Sequence, residues 1–378
     1  MPLDLSTLPI IDHHSHPFWP LDKPLTAEHF NRIFTESEDP SILKDHVPHT
    51  LYYRQAVREL SRFLSCEDSL EAFLEKRNAL PDKKHYLRKL ITEASIKAVL
   101  VDPGFLSEGY SPETLKATLP CEVRPILRLE KLMENLLPEA GNFEDFVDQF
   151  LEAMDTFKEK GGVALKSIIA YRSGLEIQET PRNLALEAYQ TLKEEVHKAG
   201  SIRITSKPFL DYMIWRALEK NLEINLPVQF HTGFGDVDLD LLQANPLLLK
   251  NVFKHEKFRN IQIVLLHAGY PYTREAGYLV SVYAQIHVDL SLAIPLLHHT
   301  MIGVLEDLLS LAPVSKILYG SDAHSFPEFY WLGAYYGRKV LEASLGRLVQ
   351  ANLLSRQEAL DVAERILYKN AKALYPLS

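Results

Sequence analysis

Short apolar runs that end in a metal-capable side chain recur along this chain. Leu8 to Ile11 runs into Asp12-His13-His14-Ser15-His16, Leu226 to Phe230 into His231, Ile261 to Leu266 into His267, and Lys316 to Ser321 into Asp322. A fifth run, Gly162 to Leu165, leads into Lys166. Runs of this length between turn signals read as buried strands, and three more fit Ile96 to Val101, Val123 to Leu127 and Ile286 to Asp289. Between them apolar residues recur at helical spacing. That spacing predicts helices over 142–160, 181–199, 207–221, 240–254, 272–283, 337–350 and 355–375. Gly161-Gly162 stops the first, and Ser206 with Pro208 starts the third. Strands alternating with helices predict an α/β fold, a (β/α)8 TIM barrel occupying residues 1–378 as one domain. The interval 18–95, charged and helically spaced, reads as a helical insertion after strand 1 that covers the barrel mouth.

The strand ends carry the chemistry. Alternate side chains share a face, so His14 and His16 point together, with Asp12 on the same parity to orient them and His13 facing away. In a parallel barrel the C-terminal strand ends converge, so ligands far apart in sequence can meet on one ion. Arg172 and Arg274 fall in loops expected on that face, where a guanidinium suits a substrate carboxylate. Tyr171, Tyr272 and Trp331 are candidate pocket walls, and His324 and Glu328 candidate partners to the ligands.

Composition narrows the class. A formal charge of -9 without a block of lysines or arginines offers no footprint for nucleic acid or an anionic membrane, which leaves a small-molecule substrate. Only Cys66 and Cys121 are present, with neither a disulfide framework nor a thiolate zinc pattern, as in a reducing compartment. No secretory n-region or long apolar span occurs, so the expectation is a cytoplasmic protein. The aromatic run Phe326, Phe329, Tyr330, Trp331, Tyr335 and Tyr336 either packs internally, the favoured reading, or buries a homodimer contact.

The strings Ile11-Asp12-His13-His14-Ser15-His16, Leu165-Lys166-Ser167 through Leu175, and Phe230-His231-Thr232-Gly233 carry a resemblance, as do His267-Ala268-Gly269-Tyr270-Pro271 and Gly320-Ser321-Asp322-Ala323-His324. Over nearly its whole length the chain resembles the metal-dependent amidohydrolase superfamily. Within it the match is to the amidohydrolase-2 branch related to the barrel half of FluG and of nodulin/glutamine-synthetase-like fusions. This sequence shows no counterpart of the glutamine-synthetase-like half, so the expectation is that any activity resides in the barrel.

The resemblance implies a ligand set of His14, His16, Lys166, His231, His267 and Asp322, with Asp322 and His267 catalytic. Lysine is a poor ligand at its ordinary pKa of about 10.4, so Lys166 bridges two ions only once carboxylated. The implied cofactor is a divalent metal, zinc first and manganese as the alternative, as one or two ions. Such an ion lowers the pKa of its water to about 7, and the hydroxide attacks a carbonyl. The expected reaction is hydrolysis of a γ-glutamyl (isopeptide) amide, with Arg172, Tyr171 and Arg274 binding substrate. The alternatives are a nonoxidative decarboxylase of the same branch, or a regulatory barrel that binds a glutamyl metabolite with little turnover.

Overall fold

The computed structural model describes residues 3–105 and 109–377. Eight parallel strands follow one another in chain order: β1 Ile10–Ser15, β2 Ile96–Val101, β3 Glu122–Arg128, β4 Ala164–Ser167, β5 Val228–Phe230, β6 Ile263–Leu265, β7 Ile286–Asp289 and β8 Ile317–Leu318. Each pairs with the next. The barrel closes just past β8, where Asp322 N donates to His14 O at 3.0 Å and His16 N to Ala323 O at 2.8 Å. That seam brings Asp322 to the two histidines of β1. The expected TIM barrel is therefore the observed fold.

Two apolar layers hold it. Ile11, Ala98, Leu100, Ile126, Ala164, Val264 and Leu318 form one cluster, joined by Ala371 and Tyr375 from the C-terminal segment. One alternate set of strand residues thus packs on itself, as a filled barrel requires. The other set, including Ile10, Val99, Leu165, Val228 and Ile263, packs against the surrounding helices. The helix Phe143–Glu159 shows how sequence specifies this outer layer. Asn142 caps it in a capping box with Asp145, and Phe143, Phe146, Phe150 and Met154 are buried along one face. Such a cap contributes about 1 kcal/mol, while the buried face supplies most of the hold.

Three sequence expectations need correction. Residues 240–254 are not one helix: Pro246 has no N–H to donate, and a 3-10 turn Pro246–Leu249 precedes a short helix Lys250–Lys254. The helix expected from 337 starts at Glu328, because its aromatic first turns mask the polar half of the pattern. Segments 112–118, 129–136 and 301–309 are further helices that the pattern reading left out. The interval between β1 and β2 is helical; its first part reaches the mouth, where Trp19 to Glu38 share a cavity with the strand-end residues, and Tyr52 borders a smaller cavity beside Asp322. Its later helices, Leu51–Leu64, Leu70–Asn78 and Lys83–Glu93, pack along the barrel's side. Arg77 there forms a buried ion pair with Glu328 at 2.9 Å. Phe326, Phe329, Tyr330 and Tyr336 are buried in the core.

Candidate metal centre

His14 and His16 meet Asp322 at the barrel mouth. Asp322 Oδ1 lies 3.2 Å from His14 Nε2 and 3.1 Å from His16 Nε2. Among the described residues, these three are the group of histidine and carboxylate atoms close enough to hold one ion. Lys166 Nζ stands 2.9 Å from His14 Nε2 and 3.5 Å from Asp102 Oδ2. His231 and His267 face each other, Nδ1 to Nε2, at 3.0 Å. All six strand-end residues thus gather on one face.

Outer hydrogen bonds decide which nitrogen of each ring is bare. His16 Nδ1 faces the Asp102 carbonyl at 3.0 Å, and His231 Nε2 the Phe234 carbonyl at 3.1 Å. A carbonyl only accepts, so those nitrogens carry the proton. His267 Nδ1 lies 3.0 Å from Ser291 Oγ and 3.4 Å from the Ser291 carbonyl, which only accepts, so it too carries the proton. His14 Nδ1 bonds Gln229 Oε1 at 2.8 Å, and Gln229 is held in that orientation because its Nε2 donates to the His13 carbonyl. Four lone pairs consequently point inward. Asp322 Oδ1, buried between two of them, has no hydrogen-bond donor. Acceptors converging on a buried acceptor are costly unless a cation joins them, so the donor set fits a divalent metal. The outer bonds fix ring orientation as metal-binding histidines require.

Electrostatics agrees. Burial, reinforced by the Lys166 charge, pushes His14 down to about 3, leaving its lone pair free at neutral pH. Burial also lowers His231 well below its ordinary value, and lowers His267. Burial alone would raise Asp322, but His267, His14 and His16 together hold it well below the usual carboxylate range. Burial lowers Lys166, with Asp102 opposing. His267 and Asp322 both sit in the left-handed backbone region, at φ 67° and 56°. For residues other than glycine that conformation costs about 1–3 kcal/mol each, strain of the kind concentrated at functional sites.

Around the cluster lies a cavity of about 380 Å³. Arg172, Tyr171 and His324 line it, as do Arg128, Glu36 and Asp236. Arg274 does not. The helix Thr273–Val282 has already begun at that position, which turns the side chain outward to Asp307 with 80% of it exposed. Tyr272 instead donates to Leu241 O, Trp331 packs with Phe63, and Glu328 belongs to the pair with Arg77. Asp12 accepts from the His14 backbone N–H but bonds neither imidazole. Its carboxylate takes Ser321 N at 2.9 Å and Ser321 Oγ, pinning the turn that carries Asp322. His13 stands off the ligand cluster, its Nε2 on Asp289 at 2.9 Å and its Nδ1 on the Tyr375 hydroxyl.

Sequence reasoning passed over Gln229, Asp102, Arg128 and Glu36. Asp102 follows β2 and Arg128 ends β3, so the strand-end pattern that marks Lys166 marks them equally. They form a buried pair at 2.6 Å, and Arg128, with Lys166 and His16, overcomes the burial that would raise Asp102 and holds it low. Gln229 shows as one polar residue inside Val228–Phe230. For Glu36, in a loop of the insertion, no signal exists.

The sequence model of the amidohydrolases (Amidohydro_2) matches residues 189–377. The chain belongs to the amidohydrolase family. The protein fluG of Emericella nidulans is 27% identical over 414 aligned positions that take in 99% of this chain and 46% of fluG. This amidohydrolase therefore spans about half the length of that curated relative. A Lactobacillus casei protein described as a metal-dependent hydrolase superposes with a TM-score of 0.88 at 29% identity, covering 99% of this chain and 98% of that one. Uronate isomerase from Thermotoga maritima shares the fold, with a TM-score of 0.67 at 15% identity over 98% and 95% of the two chains. Family and site together make this a metal-dependent amidohydrolase fold with a candidate metal centre. Among its described residues, no helix is long and apolar enough to cross a membrane.

Proposed function

We propose that this amidohydrolase cleaves the amide of a small carboxylate-bearing substrate, a γ-glutamyl amide, to glutamate and an amine. The observation that carries the reading is the convergence of the bare His14 and His16 nitrogens on Asp322 Oδ1, beside the facing His231 and His267 rings and inside a cavity that also holds Arg172. A divalent ion bound by His14, His16 and Asp322, zinc by its fit to nitrogen and oxygen donors, supplies a water acidic enough to react near pH 7 and polarises a carbonyl. His231 and His267 are proposed as further donors, and Lys166 joins them only once carboxylated, since its ammonium has no lone pair. The bare nitrogens of His231 and His267 accept rather than donate, which favours ligation over a role in holding an oxyanion.

Asp322 is assigned the proton. Ionised and itself a member of the ligand cluster, it would take a proton from the attacking water and pass it to the departing nitrogen, which cannot leave as an amide anion. Arg172 is assigned the substrate carboxylate. It is nine-tenths buried, its Nη2 is on Glu134 at 3.0 Å, and its Nε has no partner. Tyr171, against His231 with ring centroids 4.4 Å apart, forms the adjoining wall. The test is amine and glutamate release from a panel of γ-glutamyl amides, with carbon dioxide release followed on aromatic acids. Amine release that is lost in Asp322→Asn supports the reading. Carbon dioxide without amine replaces it with a decarboxylase.

A further inference from the structure

We propose that Phe105 forms the subsite for the leaving group, so that the amine released from the preferred substrate carries an aromatic ring. The inference deepens the proposed hydrolysis and rests on it for the acyl side of the substrate. A row of ring contacts crosses the barrel mouth from Tyr171 to Phe105. Its successive centroid separations are 4.4 Å from Tyr171 to His231, 4.5 Å on to His267, 5.8 Å to His14, 5.2 Å to His16 and 4.9 Å to Phe105. The metal-capable histidines occupy the middle of the row. Topology sets its two ends apart: Tyr171 follows β4, whereas Phe105 follows β2 and packs on His16, just past β1. In a barrel of eight strands in chain order, closed between β8 and β1, strands β4 and β5 lie across the axis from that seam.

The two ends differ in chemistry. Charged side chains gather around Tyr171. Arg172 is its neighbour in sequence and keeps a buried Nε without a partner, Asp236 N donates to the Tyr171 hydroxyl at 3.3 Å, and Arg203, paired with Asp238, donates to the Tyr171 carbonyl at 2.9 Å. At the Phe105 end the wall is aromatic. The Phe105 ring meets that of His324 edge-on with centroids 5.3 Å apart, and Trp19 lines the same cavity. The other described cations of the cavity are paired with carboxylates: Arg128 and Lys166 with Asp102 at 2.6 and 3.5 Å, and Arg32 with Glu28 at 3.2 Å.

Exposure points Phe105 at a ligand. His16 beside it is buried, yet Phe105 is 44% exposed, which leaves an apolar face open on the cavity wall. A phenyl ring laid on that face removes apolar surface from water and takes the edge-on or offset contact that aromatic pairs favour. A substrate whose carboxylate is held by Arg172 and whose amide lies over the histidines extends its amine toward Phe105. The row of rings therefore assigns the acyl group to one end and the amine to the other.

Calorimetric titration of the metal-stripped protein with γ-glutamyl benzylamide and with γ-glutamyl methylamide tests this, with kcat/KM for both measured on the zinc-loaded protein. Both amides release alkylamines, so the comparison isolates the ring from the chemistry of an aniline leaving group. The benzylamide is expected to bind at least about 10-fold more tightly, a difference of about 1.4 kcal/mol, and to be preferred at least as strongly in kcat/KM. Phe105→Ala should bring both ratios toward one, and Phe105→Tyr should keep them. Equal affinity for the two amides, tighter binding of the methylamide, binding of neither, or a preference that Phe105→Ala leaves intact overturns the proposal. A variant that fails to fold leaves the wild-type ratios and Phe105→Tyr to decide. Ring-selective binding without cleavage of either amide sinks the hydrolase and leaves the subsite. Cleavage of both amides with equal affinity and equal kcat/KM does the reverse.

Discussion

At the scale of single residues, the centre depends on groups that touch no ligand atom themselves. Gln229 exposes the His14 lone pair by taking the proton side of the ring, and it in turn donates to the Tyr375 hydroxyl at 3.0 Å. Replacing Gln229 by Leu removes that partner without opening the cavity. Metal affinity is expected to fall roughly 10- to 100-fold, measured by competition with a chromogenic chelator, with the fold intact by circular dichroism. An unchanged affinity would show that the ring orientation is set elsewhere. Lys166 gives a second expectation at this scale. Its ammonium donates to His14 and so competes with a metal there, whereas a carboxylated Lys166 joins the His231 and His267 pair as a donor. Bound metal should rise from one ion per chain to two on incubation with bicarbonate, and Lys166→Ala should stay at one.

Elements hold these residues in place at identifiable close approaches. Gly235, in the loop after β5, has no room for a side chain: a Cβ there would lie 2.0 Å from the Tyr171 hydroxyl and 2.9 Å from His231 Nε2. Gly235→Ala is expected to displace both and lower kcat/KM by about 100-fold, since misplacement of a reacting group by about 1 Å has that effect. Wild-type kinetics in this variant would mean that the loop yields. Along the barrel's side, Arg77→Ala leaves the Glu328 carboxylate buried without its partner. It should cost about 3–5 kcal/mol in urea unfolding, most of it recovered in Arg77→Met with Glu328→Leu. A loss below 1 kcal/mol would show that water reaches Glu328. This is also the scale at which the sequence was most and least readable. Apolar runs ending in His231, His267 and Asp322 were visible because a buried strand is a short aliphatic run and its end is polar only for a reason. Arg274 misled because the turn after β6 is short enough to have begun a helix. Glu36 was silent because nothing local distinguishes a loop carboxylate that long-range folding carries to the site.

The whole molecule joins a rigid barrel to a mouth that the first part of the insertion covers. Its acid stability should follow from buried neutral histidines. Burial, aided by the Lys316 charge, pushes His287 down to about 4, so between about pH 6.5 and 4 the unfolded chain binds a proton that the folded chain does not. That group's contribution therefore makes stability fall as pH drops through this window. The decline should be shallower in His287→Gln, as read from melting temperatures across the range, and an equal slope would contradict it. The central claim is that a metal held by His14, His16 and Asp322 drives hydrolysis of a γ-glutamyl amide. The measurement that tests it most directly is glutamate release by protein stripped with a chelator and then reloaded with zinc, beside His14→Ala treated in the same way. The account expects activity lost on stripping, restored on reloading, and absent from the variant throughout. Activity that survives stripping, or that returns equally in His14→Ala, would contradict it.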